Sequence, residues 1–174
     1  MLQANLSKAN LSEAVLVEAN LTAADLSGAI LIQANLYRAN LSAVKLNGAN
    51  LINADLQSAN LTAADLNKAK LTNTRMTSTD LSGANLTGVN LVGVDLQNTK
   101  LSGADLSGAK LCGANLSNNQ NVSGVNLTKA DLRGANLANA NLEKANLTGA
   151  NLGGVKLEGA NLSGAIMPDG TVHE

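Results

Sequence analysis

The sequence repeats every five residues, and this period constrains the fold more than any other feature of the chain. Leucine occupies 30 of the 34 positions reached by stepping in fives from Met1 to Leu116 and again from Val122 to Met167. Alanine stands two residues before this centre in 24 of 33 units, and asparagine or aspartate stands one residue before it in 24 of 33. The repeating unit is therefore A-(N/D)-L-x-x.

A period of five fits neither a continuous helix nor a long strand. At about 3.6 residues per turn, successive leucines would be rotated by about 140° and would scatter around a helix. In a strand they would alternate between opposite faces, because five is an odd number. The period instead predicts a chain that turns after every unit, with the leucine and the residue two before it both directed inward.

The residue two after each centre has the composition of a tight turn. Fourteen of the 16 glycines fall at this position. Five asparagines share it, namely Asn53, Asn73, Asn98, Asn118 and Asn139. Both residue types adopt a positive φ more readily than others do. Because such a turn recurs in every unit, the sequence predicts an all-β solenoid.

With this unit the sequence resembles the pentapeptide-repeat family, and in particular cyanobacterial-type members without phenylalanine at the centre. The match runs over about residues 1–167, as a single domain. The resemblance implies a right-handed quadrilateral β-helix of about eight coils, each made of four five-residue units. Residues 168–174 contain Pro168, Asp169 and Gly170 and are predicted to form a C-terminal turn or tail.

Opposite charges recur at every fourth unit, which agrees with four units per coil. Asp25 and Asp65 flank Lys45 at this spacing, and Asp55 and Asp95 flank Arg75 in the same way. Residues one coil apart would lie above one another, where opposite charges attract. The pattern therefore favours a square cross-section over a triangular one.

Residues able to carry out chemistry are few and scattered, so we predict that the protein is not an enzyme. The only histidine, His173, is next to the end of the chain, and the only cysteine, Cys112, has no histidine near it. We interpret the repeated glycines as corner residues and the isolated acids as caps of the corner backbone, rather than as phosphate or calcium ligands. We expect no catalytic residues, no cofactor and no metal site.

Charge and hydropathy limit the classes of partner and the compartment. The chain has 12 basic and 13 acidic residues and a formal net charge of -1, which is not the basic surface of a nucleic-acid-binding protein. No apolar run is long enough to cross a membrane, and no export signal is recognisable. A single cysteine is compatible with a reducing compartment. The sequence thus predicts a cytoplasmic protein that binds neither nucleic acid nor membranes.

The expected function is that of a rigid rod that presents a patterned surface to a macromolecule, most simply another protein. The resemblance implies an alternative, a DNA-mimicking inhibitor or protector of type II topoisomerase (gyrase), because some members of the family act in this way. Ice or surface binding is a third, more remote hypothesis. It would use an outward hydroxyl ladder, Thr22, Ser42, Thr62, Ser82 and Ser102.

Several apolar residues stand at outward positions in the N-terminal half and form a candidate partner-contact patch, namely Val15, Val17, Ile30, Ile32, Tyr37 and Ile52. Ile32 and Ile52 are four units apart, as are Val17 and Tyr37. Contiguous exposed apolar groups can mark a contact surface, although isolated ones are common on any protein. The repeat begins at residue 1 with no cap, so a homodimer through the N-terminal coil is a further expectation.

The count of five slips by one residue between Leu116 and Val122. This irregularity covers Asn118, Asn119, Gln120, Asn121 and Val122. We predict a one-residue bulge near Asn118 and Asn119, with Gln120 at the inward position that alanine usually holds, either turned out or bonded to freed backbone. A fusion of two separate repeat arrays would leave the same mark.

Overall fold

The structure is a four-sided β-helix in which the backbone turns at every fifth residue. The computed structural model describes residues 3–119 and 122–174. Within these residues there is no helix, and the β-structure consists of single-residue bridges, nearly all parallel, such as Asn5 with Asp25 and Asp25 with Lys45. The bridged partners are four units apart, so the square coil is confirmed. At about 4.8 Å per coil, eight coils make a rod of about 40 Å.

Each side of the rod is a column of stacked units. The four faces are named here after central leucines of one coil: face A at Leu26, face B at Leu31, face C at Leu36 and face D at Leu41. Around each central residue we distinguish the inner position two before it, the asparagine position one before it, the outer position one after it and the corner position two after it.

The core is a ladder of central leucines with small residues at the inner positions beside them. From Leu21 to Leu147 every described central and inner residue is buried. Toward the two ends the same positions become partly exposed, as at Leu6 and Leu157, because an end coil has a neighbour on one side only. Each fully buried leucine contributes about 1.5–3 kcal/mol relative to an exposed one, so the repeat itself provides the stability of the fold.

Corner residues adopt a left-handed backbone conformation whatever their side chain. From Gln3 to Gly164 each described corner has a φ between 53° and 71°, and alanine and lysine corners such as Ala63 and Lys68 adopt it as glycines do. The predicted positive φ is therefore confirmed. The strain of about 1–2 kcal/mol at a non-glycine corner is offset where the corner N–H donates to the next coil, as Lys8 does to the Ser27 carbonyl at 2.9 Å.

Residues in the asparagine position cap the backbone that follows them. The Thr22 N–H donates to Oδ1 of Asn20 at 3.1 Å, and the Ser107 N–H donates to Oδ1 of Asp105 at 2.9 Å. At Asp25 the hydroxyl of Ser27 and then its backbone N–H lower the pKa of the carboxyl group. The acids thus have the local capping contacts that the sequence interpretation assigned to them.

The end of the chain returns to the last coil and pairs with its edge. The chain turns through residues 168–170, and Val172 then forms an antiparallel bridge with Ile166. The His173 N–H donates to the carbonyl of Ala165, and the Gly164 N–H donates to the carbonyl of His173, both at 2.8 Å. These bonds cover the open edge of face A.

Stacking continues through the irregularity with the spacing increased by one residue. Asp105 pairs with Asn126 and Asn115 with Asn136, each pair one residue further apart than four units, and beyond this point the spacing returns to four units. The same ladders therefore run on both sides of the extra residue. Val122 is buried and resumes the central ladder.

The inner position at the irregularity is held by Asn119, which corrects the prediction that Gln120 stands there. Asn118 is a regular corner with φ 58°, and Asn119 is fully buried with its carbonyl accepting from the Asn141 N–H at 2.8 Å, as inner alanines do. The predicted bulge at Asn118 and Asn119 is therefore wrong, because both residues occupy regular positions of the repeat. The other two residues named in that prediction, Gln120 and Asn121, lie outside the described residues.

Asn119 is held by the polar groups beneath it, but only on one side of its amide. Its Nδ2 donates to the Leu96 carbonyl at 2.9 Å and to Oγ1 of Thr99 at 3.0 Å. Its Oδ1 is buried and has no hydrogen-bond partner among residues 3–119 and 122–174. A buried polar atom without a partner costs about 1–3 kcal/mol.

Replacing Asn119 with threonine is expected to stabilise the protein by about 1 kcal/mol. The hydroxyl of Thr79 donates to the Leu56 carbonyl, 23 residues earlier, at 2.9 Å. A threonine at 119 would reach the Leu96 carbonyl by the same step and would remove the unpartnered oxygen. Urea denaturation measures the difference, with Thr79→Asn as the reciprocal variant that should lose stability. A less stable Asn119→Thr variant would contradict this account.

Candidate partner-contact surface

The predicted apolar patch spans two adjacent faces near the N-terminal end of the rod. It comprises Ile30, Ile32 and Ile52 on face B, and Val15, Val17 and Tyr37 on face C. Residues four units apart lie on successive coils, as the Gln33 N–H beside Ile32 donates to the carbonyl of Ile52 at 3.0 Å. The two faces meet along a corner column of polar residues, Glu13, Gln33 and Asn53.

The members of the patch differ in how far they protrude. Val15 is 78% exposed, and Val17 and Ile30 are also exposed. Ile32, Tyr37 and Ile52 are half-buried, since each is stacked between outward side chains of neighbouring coils. The patch thus consists of apolar groups on two adjacent faces, and its most exposed members lie in the first two coils.

Charged side chains frame Tyr37 on the face C side of the patch. The guanidinium carbon of Arg38 lies 5.0 Å from the centroid of the Tyr37 ring, a cation–π distance. The same guanidinium is 3.6 Å from a carboxylate oxygen of Glu18 in the coil below. These contacts hold the ring at the surface and give the apolar patch a polar margin.

The apolar ladder of face B extends further than the predicted patch. Val92, at the same outer position as Ile32 and Ile52, is 52% exposed. Thr72 lies between Ile52 and Val92, and Cys112 follows them. The spacing of four units that joins Ile32 to Ile52 also leads to Val92, so the sequence does contain the signal for this residue.

An ion pair lies next to Cys112 at the far end of this ladder. Arg133 donates to both carboxylate oxygens of Asp131, each at 2.8 Å. Arg133 first, and the Cys112 thiol after it, hold the pKa of the Asp131 carboxyl well below its usual range. The guanidinium pKa of Arg133 is raised in turn by Asp131. Both charges are thus compensated within this cluster, and Cys112 is a half-exposed free cysteine.

Two ion pairs join successive coils in the charge ladders, but Lys45 forms none with Asp25 or Asp65 among the described residues. A guanidinium nitrogen of Arg75 lies 3.1 Å from Oδ2 of Asp55, and Nζ of Lys100 lies 3.1 Å from Oδ2 of Asp80. Asp95, predicted as a second neighbour of Arg75, instead accepts from Nδ2 of Asn115 at 3.2 Å. The cationic side chains of both pairs are largely exposed, so each pair contributes about 0–1 kcal/mol and mainly matters for stacking register.

The outward hydroxyl ladder of face D is engaged in bonds within the chain. The hydroxyls of Thr22 and Thr62 donate to Oδ1 of Asn20 and Asn60, at 2.7 and 2.6 Å. Ser42 donates to the Thr22 hydroxyl at 3.4 Å. Along these three coils the face thus presents small polar side chains, in contrast to the apolar patch of faces B and C.

The described residues hold neither a cluster of metal ligands nor a membrane-spanning helix. Across residues 3–119 and 122–174, no three or more His, Cys, Asp or Glu side chains come together as potential metal ligands. The same segments contain no helix of the length and apolarity that crossing a membrane requires.

Comparison with protein families gives one match, which covers nearly the whole chain. A family model described as pentapeptide repeats matches in eight copies, over residues 4–42, 39–77, 79–118 and 121–167. No curated protein matches.

Three solved structures illustrate what the chain is similar to. HetL, a pentapeptide repeat protein involved in heterocyst differentiation regulation from the cyanobacterium Nostoc sp. strain PCC 7120, is 40% identical, with 98% of this chain and 81% of that chain covered and a TM-score of 0.44. A trypsin-treated form of QnrB1, a plasmid-mediated fluoroquinolone resistance protein, is 22% identical, covering 92% of this chain and 78% of that chain at a TM-score of 0.50. A pentapeptide repeat protein of the Arabidopsis thaliana thylakoid lumen is 30% identical, covering 71% of this chain and 68% of that chain at a TM-score of 0.19.

Proposed function

The chain belongs to the pentapeptide-repeat family, which folds as a right-handed quadrilateral β-helix, and from this premise we propose that it is a non-enzymatic interaction protein. Residues 1–167 would form a single repeat domain, with residues 168–174 as a tail that pairs with its last coil. The partner would be another protein in the cytoplasm, rather than a nucleic acid or a membrane. The small net charge of -1 supports this choice of partner.

The observation that carries the proposal is the apolar patch on faces B and C. From Leu21 to Leu147 the described central and inner positions are filled by buried side chains of the chain itself, so recognition would use the outer surface. Val15 and Ile30 are exposed on adjacent coils although the same asparagine position is polar in most units. Burying such side chains against a partner gains about 25 cal/mol per Å² of apolar surface.

Capture of partners from extracts of the source cell tests this proposal. The immobilised wild-type chain is compared with Val17→Asp combined with Ile32→Asp, which places charge in the centre of the patch. Thr62→Asp combined with Ser42→Asp is the matched control on face D. The asparagine-position residues of these two units, Asn60 and Asn40, are uncharged. We expect the patch variant to retain at most a tenth of the captured partner and the control to retain most of it.

The outcome that would reject the patch is equal capture by both variants with melting temperatures unchanged. Loss of capture by the control alone would instead move the contact to face D. Because the substituted side chains point outward, the stability of each variant can be checked separately by thermal unfolding.

A second copy of the chain is one partner that we propose, at the N-terminal coil. In the second coil the N–H groups of Ile30, Asn35 and Asn40 each donate to a backbone carbonyl of the first coil at 2.9 Å. The N–H groups of Asn10 and Val15, which hold the same positions in the first coil, donate to no described residue. Unpaired edge groups favour association with another edge. Light scattering on the 174-residue chain over a range of concentrations tests this, and a single-copy mass throughout would reject it.

The topoisomerase hypothesis is the alternative function, and the charge ladders do not favour it. A cation stands between two acids on face C, where Arg75 pairs with Asp55, and a cation follows an acid on face D, where Lys100 pairs with Asp80. Such alternation differs from the uniformly negative surface that mimics DNA. A gyrase supercoiling assay separates the two functions, because only the mimic would inhibit or protect the enzyme at micromolar concentration.

A further inference from the structure

Neighbouring coils are normally joined by three backbone hydrogen bonds per unit. The Leu51 N–H donates to the Lys70 carbonyl at 2.9 Å, and the corner N–H of Asn53 donates to the Thr72 carbonyl at 3.1 Å. In the opposite direction the Lys70 N–H donates to the Ala49 carbonyl at 2.9 Å. This pattern recurs along the rod and defines a closed coil–coil junction.

One junction, between the coil of Asn73 to Thr77 and the coil of Val92 to Asp95, is open at the corner of faces B and C. Away from this corner, Lys70 and Asn90 on face B keep their bridge, and the Ser78 N–H on face C donates to the Gln97 carbonyl at 3.0 Å. Among the described residues, the Asn73 and Met76 N–H groups form no backbone hydrogen bond to the coil above, and the Asp95 N–H forms none to the coil below.

Arg75 forms a β-bridge with Asp55 in the coil below, and Asp95 forms one with Asn115 in the coil above. Among the described residues, no such bridge joins Arg75 to Asp95. At this corner each of the two coils thus remains bonded only to the coil on its far side.

Exposure of the interior independently marks the same opening. Inner residues from Ala24 to Ala145 are at most 1% exposed, except for Ala69, Thr74 and Val94 at 4–5%. A crevice of about 410 Å³ lies between the two coils, lined by residues 73–77 and 92–95 together with Gln57. Solvent therefore reaches the inner column here and nowhere else between these two limits in the described chain.

The inner column of face C explains why this junction is open. Successive inner residues are alanine at 14, 34, 54 and 114, but Thr74 and Val94 stack directly on one another. Both side chains are branched and stiff at χ1, and the Thr74 hydroxyl is further fixed by donating to the Leu51 carbonyl at 2.9 Å. A close-packed column built for alanine methyl groups is overfilled where valine stacks on threonine. On face D of the same junction the stacked Thr79 and Thr99 leave the coils bonded, and each hydroxyl donates to a backbone carbonyl, which the Val94 side chain cannot do.

The opposite side of the same junction is closed. On face D the Lys100 N–H donates to the Thr79 carbonyl at 3.0 Å. On face A the Leu66 N–H donates to the Asn85 carbonyl at 2.8 Å, and the Asn85 N–H donates to the Ala64 carbonyl at 2.9 Å. The coils are thus attached along faces A and D and separated at the corner of faces B and C, which is the geometry of a hinge.

We propose that this crevice is a joint that divides the rod into two rigid segments. The segments swing about the closed side of the junction, and water bonds to the unpaired groups when the crevice widens. The apolar patch lies entirely on the N-terminal segment, so the joint sets the angle between the patch and the remainder of the rod. This inference holds whichever partner the patch binds.

Amide hydrogen exchange of the unmodified chain, followed residue by residue by NMR, tests the joint. The amides of Asn73, Met76 and Asp95 should exchange at least 100-fold faster than those of Asn53, Leu56 and Asn115, which occupy the same positions in closed junctions. Equal protection of the two sets would overturn the proposal. This measurement needs no variant and leaves the proposed partner contact untouched.

A double variant tests the cause. Thr74→Ala with Val94→Ala restores the alanine column and should slow exchange at Met76 and Asp95 at least 10-fold. The control is Val44→Ala with Val125→Ala. Both are inner residues of face A at closed junctions, where their carbonyls accept from the Asp65 and Asn146 N–H groups at 2.9 Å. This control should not slow exchange at Met76 or Asp95. If the first variant folds and exchange at Met76 and Asp95 is unchanged, the stacked branched residues are not what opens the joint and the proposal fails.

Discussion

Replacing Leu66 with alanine is expected to lower the free energy of unfolding by about 2–5 kcal/mol. Leu66 is fully buried in the central ladder of face A, between Leu46 and Leu86. Its N–H is bonded to the Asn85 carbonyl at 2.8 Å, so the backbone cannot move inward to fill the space that the shorter side chain leaves. Urea denaturation followed by circular dichroism measures the loss.

Thr62→Ala is the matched control for this prediction. Thr62 stands at an outer position of the adjoining face D, and its hydroxyl donates to Oδ1 of the neighbouring Asn60 at 2.6 Å. Removing an outward hydroxyl with a local partner should change stability by about 0.5 kcal/mol or less. Comparable losses for the two variants would show that central and outer positions are not distinguished by burial.

The period alone predicted the parts of the fold that every unit shares. It placed leucine inside and located the corners. The coil of four units was implied by the family resemblance and favoured by the spacing of opposite charges, and the bridges from Asn5 to Asp25 onward bear it out. Composition was a less complete guide to the corners. Glu13 and Ala23 adopt the same positive φ as Gly28, because closure of the square imposes the conformation on any residue at that position.

The features that individualise this rod could not all be obtained from the pattern. The stacking of Ile32 on Ile52 followed from their spacing of four units, but the high exposure of Val15 depends on its position in an end coil. Thr74 and Val94 are visible in the sequence as departures from alanine. Their effect, the separation of neighbouring coils, depends on the fit of branched side chains in a close-packed column, which a periodicity does not measure.

Counting also could not identify the extra residue of the irregularity. Counting forward from Leu116 places Asn119 at the inner position, and counting backward from Val122 places Gln120 there. Both counts are consistent with the repeat. The structure follows the forward count because the Asn119 amide can donate to the Leu96 carbonyl and to Thr99 beneath it.

Deleting Gln120 is expected to change stability by only about 1 kcal/mol, whereas deleting Asn60 should cost at least about 3 kcal/mol. Asn119 and Val122 already hold the inner and central positions, between which a regular unit has one residue. Removing Gln120 leaves Asn121 as that residue and returns the spacing across the irregularity to four units.

Deleting Asn60 shortens a regular unit to four residues, and no arrangement of that unit satisfies its neighbours. If Leu61 stays in the core, the unit loses the bond from the Asn60 N–H to the Ala39 carbonyl, which is 2.9 Å long. If the backbone stays in register, Leu61 turns outward, because a shift of one residue exchanges the two faces of an extended segment. Thermal and urea unfolding of the two deletions compares these costs directly. Equal losses of stability would mean that the rod tolerates a four-residue unit as readily as a six-residue one. Closing the square would then not require five residues in each unit.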